Sequence, residues 1–198
     1  MSATAAGSDR RAEIIATGAR LFAERGIAHT SIRDIGDAAG ILGGSLYHHF
    51  RSKDDLVDLI HRGSTSALDQ LYRDALSGTD NAAEQFVAMV HASFEMFDRY
   101  PEATVIYMND RQYLAARPRF DYLRTAEERH HKLWRSVVVR GVRSGVFRPD
   151  LDAELTSRLV QDAVWITGRR WVRTSRARRS IDELAGATSK ILLGGLTG

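Results

Sequence analysis

The residues best suited to chemistry cluster early in the chain: Thr30, Ser31, Arg33, Gly43, Gly44, Ser45, Tyr47, His48 and Lys53. They are short hydroxyls, planar rings and fixed cations, the groups that meet phosphates and base edges. Gly43 and Gly44 each cost about 1 kcal/mol relative to Ala in a helix, so two of them at a helix start imply that something approaches the backbone closely. A phosphate chain is the expected neighbour. Lys53 opens the following helix, where free N–H groups and the positive dipole end favour an anion, and it is assigned to a phosphate.

A second constellation lies near the C-terminus. Between Asp162 and Asp182 no acid occurs, while Arg169, Arg170, Arg173, Arg176, Arg178 and Arg179 stand with Trp165 and Trp171. At helical spacing Trp165 and Arg169 share a face. A guanidinium fork grips phosphate and an indole stacks on a flat ring, so the stripe fits a large anionic ligand. It fits equally a dimer interface, where Trp and Arg are enriched, or a solvated basic face. Tyr107, Met108, Tyr113 and Trp134 can line a cavity or fill it. Phe86, Met89, Val90, Phe94 and Phe97 recur at helical spacing as a core stripe, with Phe94 a further candidate ligand contact.

Catalysis is not expected, nor is a cofactor. There is no cysteine, which excludes disulfides, thiolate metal sites and thiol redox sensing. No nucleophile elbow or phosphate-binding glycine loop is present. His130 and His131 are adjacent and so diverge on a helix, as do His48 and His49, making poor metal pairs. Glu127 and Glu128 belong to a charged, solvent-facing stretch.

The elements that must position these groups read as all-α, because apolar residues recur three and four apart with only three prolines in 198 residues. Residues 10–25 form a helix with Ile14, Gly18, Leu21 and Phe22 on one face, stopped by Gly26. Thr30 or Ser31 caps a short helix buried through Ile32, Ile35 and Ala39 and ending at Gly40. Ala38, Ala39 and Gly40 supply the close approach of a helix-turn-helix corner, and residues 43–50 form its second helix, with Leu46 and Phe50 inward. Ser52 and Asp55 make a capping box ahead of a long helix. Further helices are expected at 81–100, 105–109, 118–144, 152–175 and 181–193, with a turn at 145–150.

The stretch from Thr30 to Lys53, preceded by Leu21-Phe-Ala-Glu-Arg-Gly26, resembles the TetR-family DNA-binding signature along nearly its whole length. Gly141-Val-Arg-Ser-Gly-Val-Phe-Arg-Pro-Asp150 resembles that family's turn before its penultimate helix. The resemblance implies about nine helices in two domains. Residues 1–51 would be a three-helix DNA-binding domain, and 52–198 a helical domain for ligand binding and for homodimerisation through the last two helices. The partners implied are a palindromic double-stranded operator and a small-molecule inducer. Ala39 to Phe50, Val105-Ile-Tyr107, Pro118-Arg-Phe120 and Phe147 to Asp152 further resemble the actinobacterial branch that represses late cholesterol-ring catabolism. That branch responds to a CoA thioester of a bicyclic steroid remnant, which implies that Trp165 and Arg169 hold an acyl-CoA-like or steroid-like inducer. Gln161 departs from the arginine expected there.

The alternative is an architectural DNA binder without a ligand, held mainly by charge. The head argues against it, setting Arg10, Arg11, Arg20, Arg25, Arg33, Arg51 and Lys53 against Asp9, Glu13, Glu24, Asp34 and Asp37. No stretch approaches the roughly 20 apolar residues of a membrane span, and Met1 to Gly7 do not read as a secretion signal. A cytoplasmic protein is expected, with the helix after Ser52 as the lever from body to head.

Overall fold

The computed structural model describes residues 3–41, 46, 50–174 and 180–197. Among these residues there are nine α-helices and no strand: α1 (Ala3–Arg25), α2 (Ile32–Ala38), α3 (Lys53–Ser77), α4 (Ala82–Arg99), α5 (Pro101–Asn109), α6 (Arg111–Ala115), α7 (Asp121–Arg143), α8 (Ala153–Thr174) and α9 (Ile181–Thr197). A 3-10 turn at Pro118–Phe120 precedes α7. The expected all-α class holds. The short α6 was not foreseen, and Pro101 opens α5 where it was expected only to end a helix.

Two compact units divide the chain. The first contains residues 1–64 and 102–122, the second 65–101 and 123–198. By packing, therefore, the opening turns of α3 and the whole of 102–122 belong with the reading head, a different division from the expected boundary at 51.

In the first unit, Ile14, Leu21 and Phe22 of α1 are buried, together with Ile32 and Ile35 of α2. Leu46 and Phe50 are 0% and 2% exposed, the inward pair that the spacing predicts. Gly26 and Gly40 take φ of +85° and +66°, conformations that side chains resist. The reason for Gly40 differs from the expected one: a Cβ there would touch nothing within 4 Å, so its backbone angle and not a close approach calls for glycine. Buried Gly36 takes the inward place one turn after Ile32, while Ala39 is half-buried.

In the second unit α4 packs on both α8 and α9. Its stripe of Phe86, Met89, Val90, Phe94 and Phe97 is fully buried. Tyr72, Trp134, Phe86 and Phe147 follow one another edge to face at 6.1, 5.6 and 6.2 Å between ring centres. The Trp134 indole N–H donates to the Tyr72 hydroxyl at 3.1 Å, and that hydroxyl lies 2.8 Å from Ser93 Oγ. Trp134 and Phe94 are thus sealed core residues, 1% and 0% exposed. Both were expected as ligand contacts; in this structure their rings are packed within the core.

Candidate nucleic-acid interface

The geometry begins with the cap of α2. Ser31 Oγ accepts the Asp34 N–H at 3.1 Å, and Asp34 Oδ2 accepts the Ser31 N–H at 2.7 Å. This reciprocal box satisfies two of the donors a helix start leaves open. The Ser31 contacts hold the Asp34 carboxyl below its ordinary range. Ser31, not Thr30, is the cap. Thr30, expected to contact DNA, is 1% exposed and its hydroxyl donates to Gly26 O at 2.9 Å, which ties it to the turn after α1. Arg33 projects from α2 with its side chain 86% exposed and a long 3.9 Å pairing to Asp37.

Between α2 and α3, Leu46 and Phe50 are both buried. Gly43, Gly44, Ser45, Tyr47 and His48, expected on the outer side of the motif's second helix, lie outside the described residues. Ser52 and Asp55 form the expected capping box, with Asp55 N–H on Ser52 Oγ at 3.2 Å and Ser52 N–H on Asp55 Oδ2 at 3.2 Å. Burial opposes ionisation of Asp55, but the Arg119 contact and the Arg51 N–H outweigh it and hold its carboxyl below the usual range. Lys53 differs from expectation. Its ammonium donates to Ile27 O at 2.8 Å and lies 5.5 Å from the Tyr113 ring centre, which ties it into the head instead of leaving it free for a phosphate.

Residues 102–122 add a strap that sequence reading did not connect to the head. Asp110 Oδ1 accepts the Ile27 N–H at 3.1 Å. Burial raises the Asp110 carboxyl above its ordinary value. The Tyr113 hydroxyl donates to Asp54 Oδ1 at 2.6 Å, and burial followed by this carboxylate pushes the phenol up to about 12. Arg117 stacks 3.4 Å from the Tyr113 ring centre and pairs with Asp54 at 3.5 Å. Arg119 reaches Asp55 at 2.5 Å. The acids at 54, 55 and 58 share a face of α3 at helical spacing, the one local signal that a basic strap was needed.

Of the effector residues, Tyr107 and Met108 are half-buried on α5. Trp165 is half-buried on α8, its ring edge-on to Phe97 at 5.1 Å, and Arg169 is exposed one turn later. Trp171 is 4% exposed and belongs to the core. Arg176, Arg178 and Arg179 lie outside the described residues. Gln161, where an arginine was expected, is engaged within the protein: its Oε1 lies 2.6 Å from His131 Nδ1. His130 turns instead to Asp69 at 2.6 Å, and no group of metal-binding side chains occurs among the described residues.

Comparison with known proteins places this architecture. Residues 14–60 match the family model described as bacterial regulatory proteins, tetR family, and residues 79–196 match that of a tetracyclin repressor-like C-terminal domain. The chain is 40% identical over 190 residues to the HTH-type transcriptional repressor KstR2 of Mycobacterium tuberculosis H37Rv, covering 96% of this chain and 94% of that one. It is 42% identical over 194 residues to the KstR2 repressor of Rhodococcus jostii RHA1, covering 98% and 94%. A solved structure, that of the ketosteroid transcriptional regulator KstR2 of Mycobacterium tuberculosis, superposes with a TM-score of 0.88 at 39% identity, over 96% of this chain and 95% of that one.

Proposed function

Because this chain belongs to the tetR family of bacterial regulatory proteins, and is a transcriptional repressor and not an enzyme, we propose that it binds a palindromic operator as a homodimer and leaves it when an inducer binds. The inducer class is an acyl-CoA, specifically a steroid-derived CoA thioester. One observation carries this: identity near 40% extends over 96% of the chain, through the helical body as well as the head, to a repressor whose structure is described as a ketosteroid regulator. Trp165 and Arg169 are the first candidates to hold the thioester, as an indole for stacking and a guanidinium for phosphate. Arg33 of α2 and Tyr47, His48, Ser45, Gly43 and Gly44 of the following segment are assigned to the operator, with Ser31 beside them.

Inducer acts by population shift. It binds better to a dimer whose heads do not fit both half-sites, and operator must weaken inducer binding by the same factor. We place the protein in the cytoplasm, where operator and CoA thioester are both present; no described helix is long and apolar enough to cross a membrane. The test uses operator duplexes selected from random DNA. Operator affinity is measured at fixed salt while steroid-derived and straight-chain CoA thioesters are titrated in. Release by the steroid-derived thioester is expected. Intact binding under every thioester would overturn the ligand assignment and leave the DNA-binding role in place.

A further inference from the structure

Arg10 and Arg11 are neighbours on α1, yet each holds a different flank of the stretch 40–49. Successive residues of a helix diverge by about 100°, so the two side chains reach separate targets. Arg10 Nη2 donates to Ala39 O at 2.8 Å, while its Nη1 is steadied by Glu13 Oε2 at 2.5 Å. Arg11 sets its guanidinium 5.3 Å from the centre of the Phe50 ring, and Phe50 is 2% exposed. A helix end leaves carbonyls open and carries partial negative charge, which a cation relieves. α2 has no basic residue in its last turn. The turn itself closes two of its carbonyls, with Gly40 N–H on Asp37 O at 3.2 Å and Ile41 N–H on Gly36 O at 2.9 Å. The carbonyl of Ala39 is taken by Arg10, a charge that arrives from another helix of the same unit.

We propose that Arg10 and Arg11 are positioning residues of the operator reader: they clamp both flanks of the stretch 40–49 to α1 and set the angle at which it meets the major groove. The inference rests on the assignment of that stretch to the operator, and adds what holds it. Two arginines on a DNA-binding head invite the simpler role of phosphate contacts. The geometry favours the clamp, because both terminal nitrogens of Arg10 are engaged within the head and the Arg11 cation lies against an aromatic face that attracts it.

The test compares full-length wild type, Arg10→Ala, Arg10→Lys and Arg11→Ala on the selected operator and on a scrambled duplex over a range of salt, with thermal unfolding beside them. In Arg10→Ala operator affinity is expected to fall roughly tenfold or more, since both heads of a dimer lose the bond, and the preference over scrambled DNA should fall with it. The slope of log affinity against log salt should not change, whereas a lost phosphate contact would make it shallower by about 0.9 per head. Arg10→Lys keeps the charge but not the fork, and should regain part of the affinity. Arg11→Ala should show the same pattern more weakly. A shallower slope, with operator and scrambled duplex weakened alike, would make these arginines phosphate contacts and overturn the clamp. A lowered melting temperature with the operator affinity of the folded protein unchanged would overturn it too, leaving a role in stability alone. Should Arg10→Ala fail to fold, Arg10→Lys and the exposed Arg11→Ala give the same decision. Tyr47→Ala is read separately. Undiminished operator binding in that variant sinks the assignment of 40–49 to the operator, whereas loss there with none in the arginine variants sinks the clamp alone.

Discussion

Asp110 and Lys53 hold opposite ends of the Ile27 residue, one accepting its N–H and the other donating to its carbonyl. That residue begins the turn between α1 and α2, so the two side chains set the entry angle of the reading motif. Asp110→Ala should lower stability by about 1–2 kcal/mol by orphaning the N–H and should weaken operator binding, while Asp110→Asn, which keeps an acceptor, should lose far less; urea unfolding and operator titration of both variants check this. His61 supplies a pH dependence. Its folded pKa of about 4 lies below the ordinary 6.5, so the unfolded chain takes up the proton first as pH falls. Its contribution is fully present above pH 6.5 and is lost between there and pH 4, about 3 kcal/mol in all. His130 is shifted the same way by burial, so the measurement is the difference in pH slope between wild type and His61→Phe, which should be shallower in the variant. Residue roles were only partly legible in the sequence. Leu46 and Phe50 follow from spacing alone, but Thr30, Lys53, Trp134 and Phe94 have the right chemistry for a ligand and are claimed by the protein's own carbonyls and core. Which partner takes a side chain is decided by tertiary neighbours such as Asp110, 83 residues from Ile27.

Element by element, local chemistry explains where helices begin. The Ser31 box starts a helix of only seven residues, too short to persist without its cap and its buried Ile32 and Ile35. Ser31→Ala should therefore cost about 1 kcal/mol of stability. Operator affinity should fall with it if α2 orients the segment that follows, and thermal unfolding beside operator titration separates the two effects. Caps and periodicity also made most helix bounds legible beforehand: Ser52 with Asp55 for α3, Asn81 for α4, Gly26 for the end of α1. What escaped were α6, five residues without a side-chain cap bond, and the allegiance of 102–122, which has no local mark. That segment is tied to the start of α3 by Tyr113, Arg117 and Arg119, so a lever made of α3 alone is incomplete. Removing the strap's tie with Tyr113→Phe, which deletes only the bond to Asp54, should leave inducer affinity nearly intact and reduce the coupling between inducer and operator. A double titration of each ligand with and without the other reads that coupling directly.

At the scale of the whole molecule the question is what covers α8 and α9. Leu155, Leu159 and Ile166 are 59%, 60% and 65% exposed, and positions spaced by four and eleven residues fall on one side of a helix. Ile191 of α9 is 75% exposed. Large aliphatic residues this open, two of them a turn apart, are expected to meet a partner, and the proposed homodimer through the last two helices would supply one. A near-neutral head needs it, since each half-site alone binds weakly and the second contact becomes intramolecular once the first is made. Ile166→Glu places a charge in that face without touching the buried core of either unit. The variant should run as a folded monomer by light scattering, with its operator affinity reduced roughly a hundredfold or more through loss of the paired half-site. A folded monomer that still bound operator as tightly as the wild type would remove the dimer from the account. A variant that stayed dimeric would move the interface off this face of α8, and the same charge at Ile191 would then test α9 on its own.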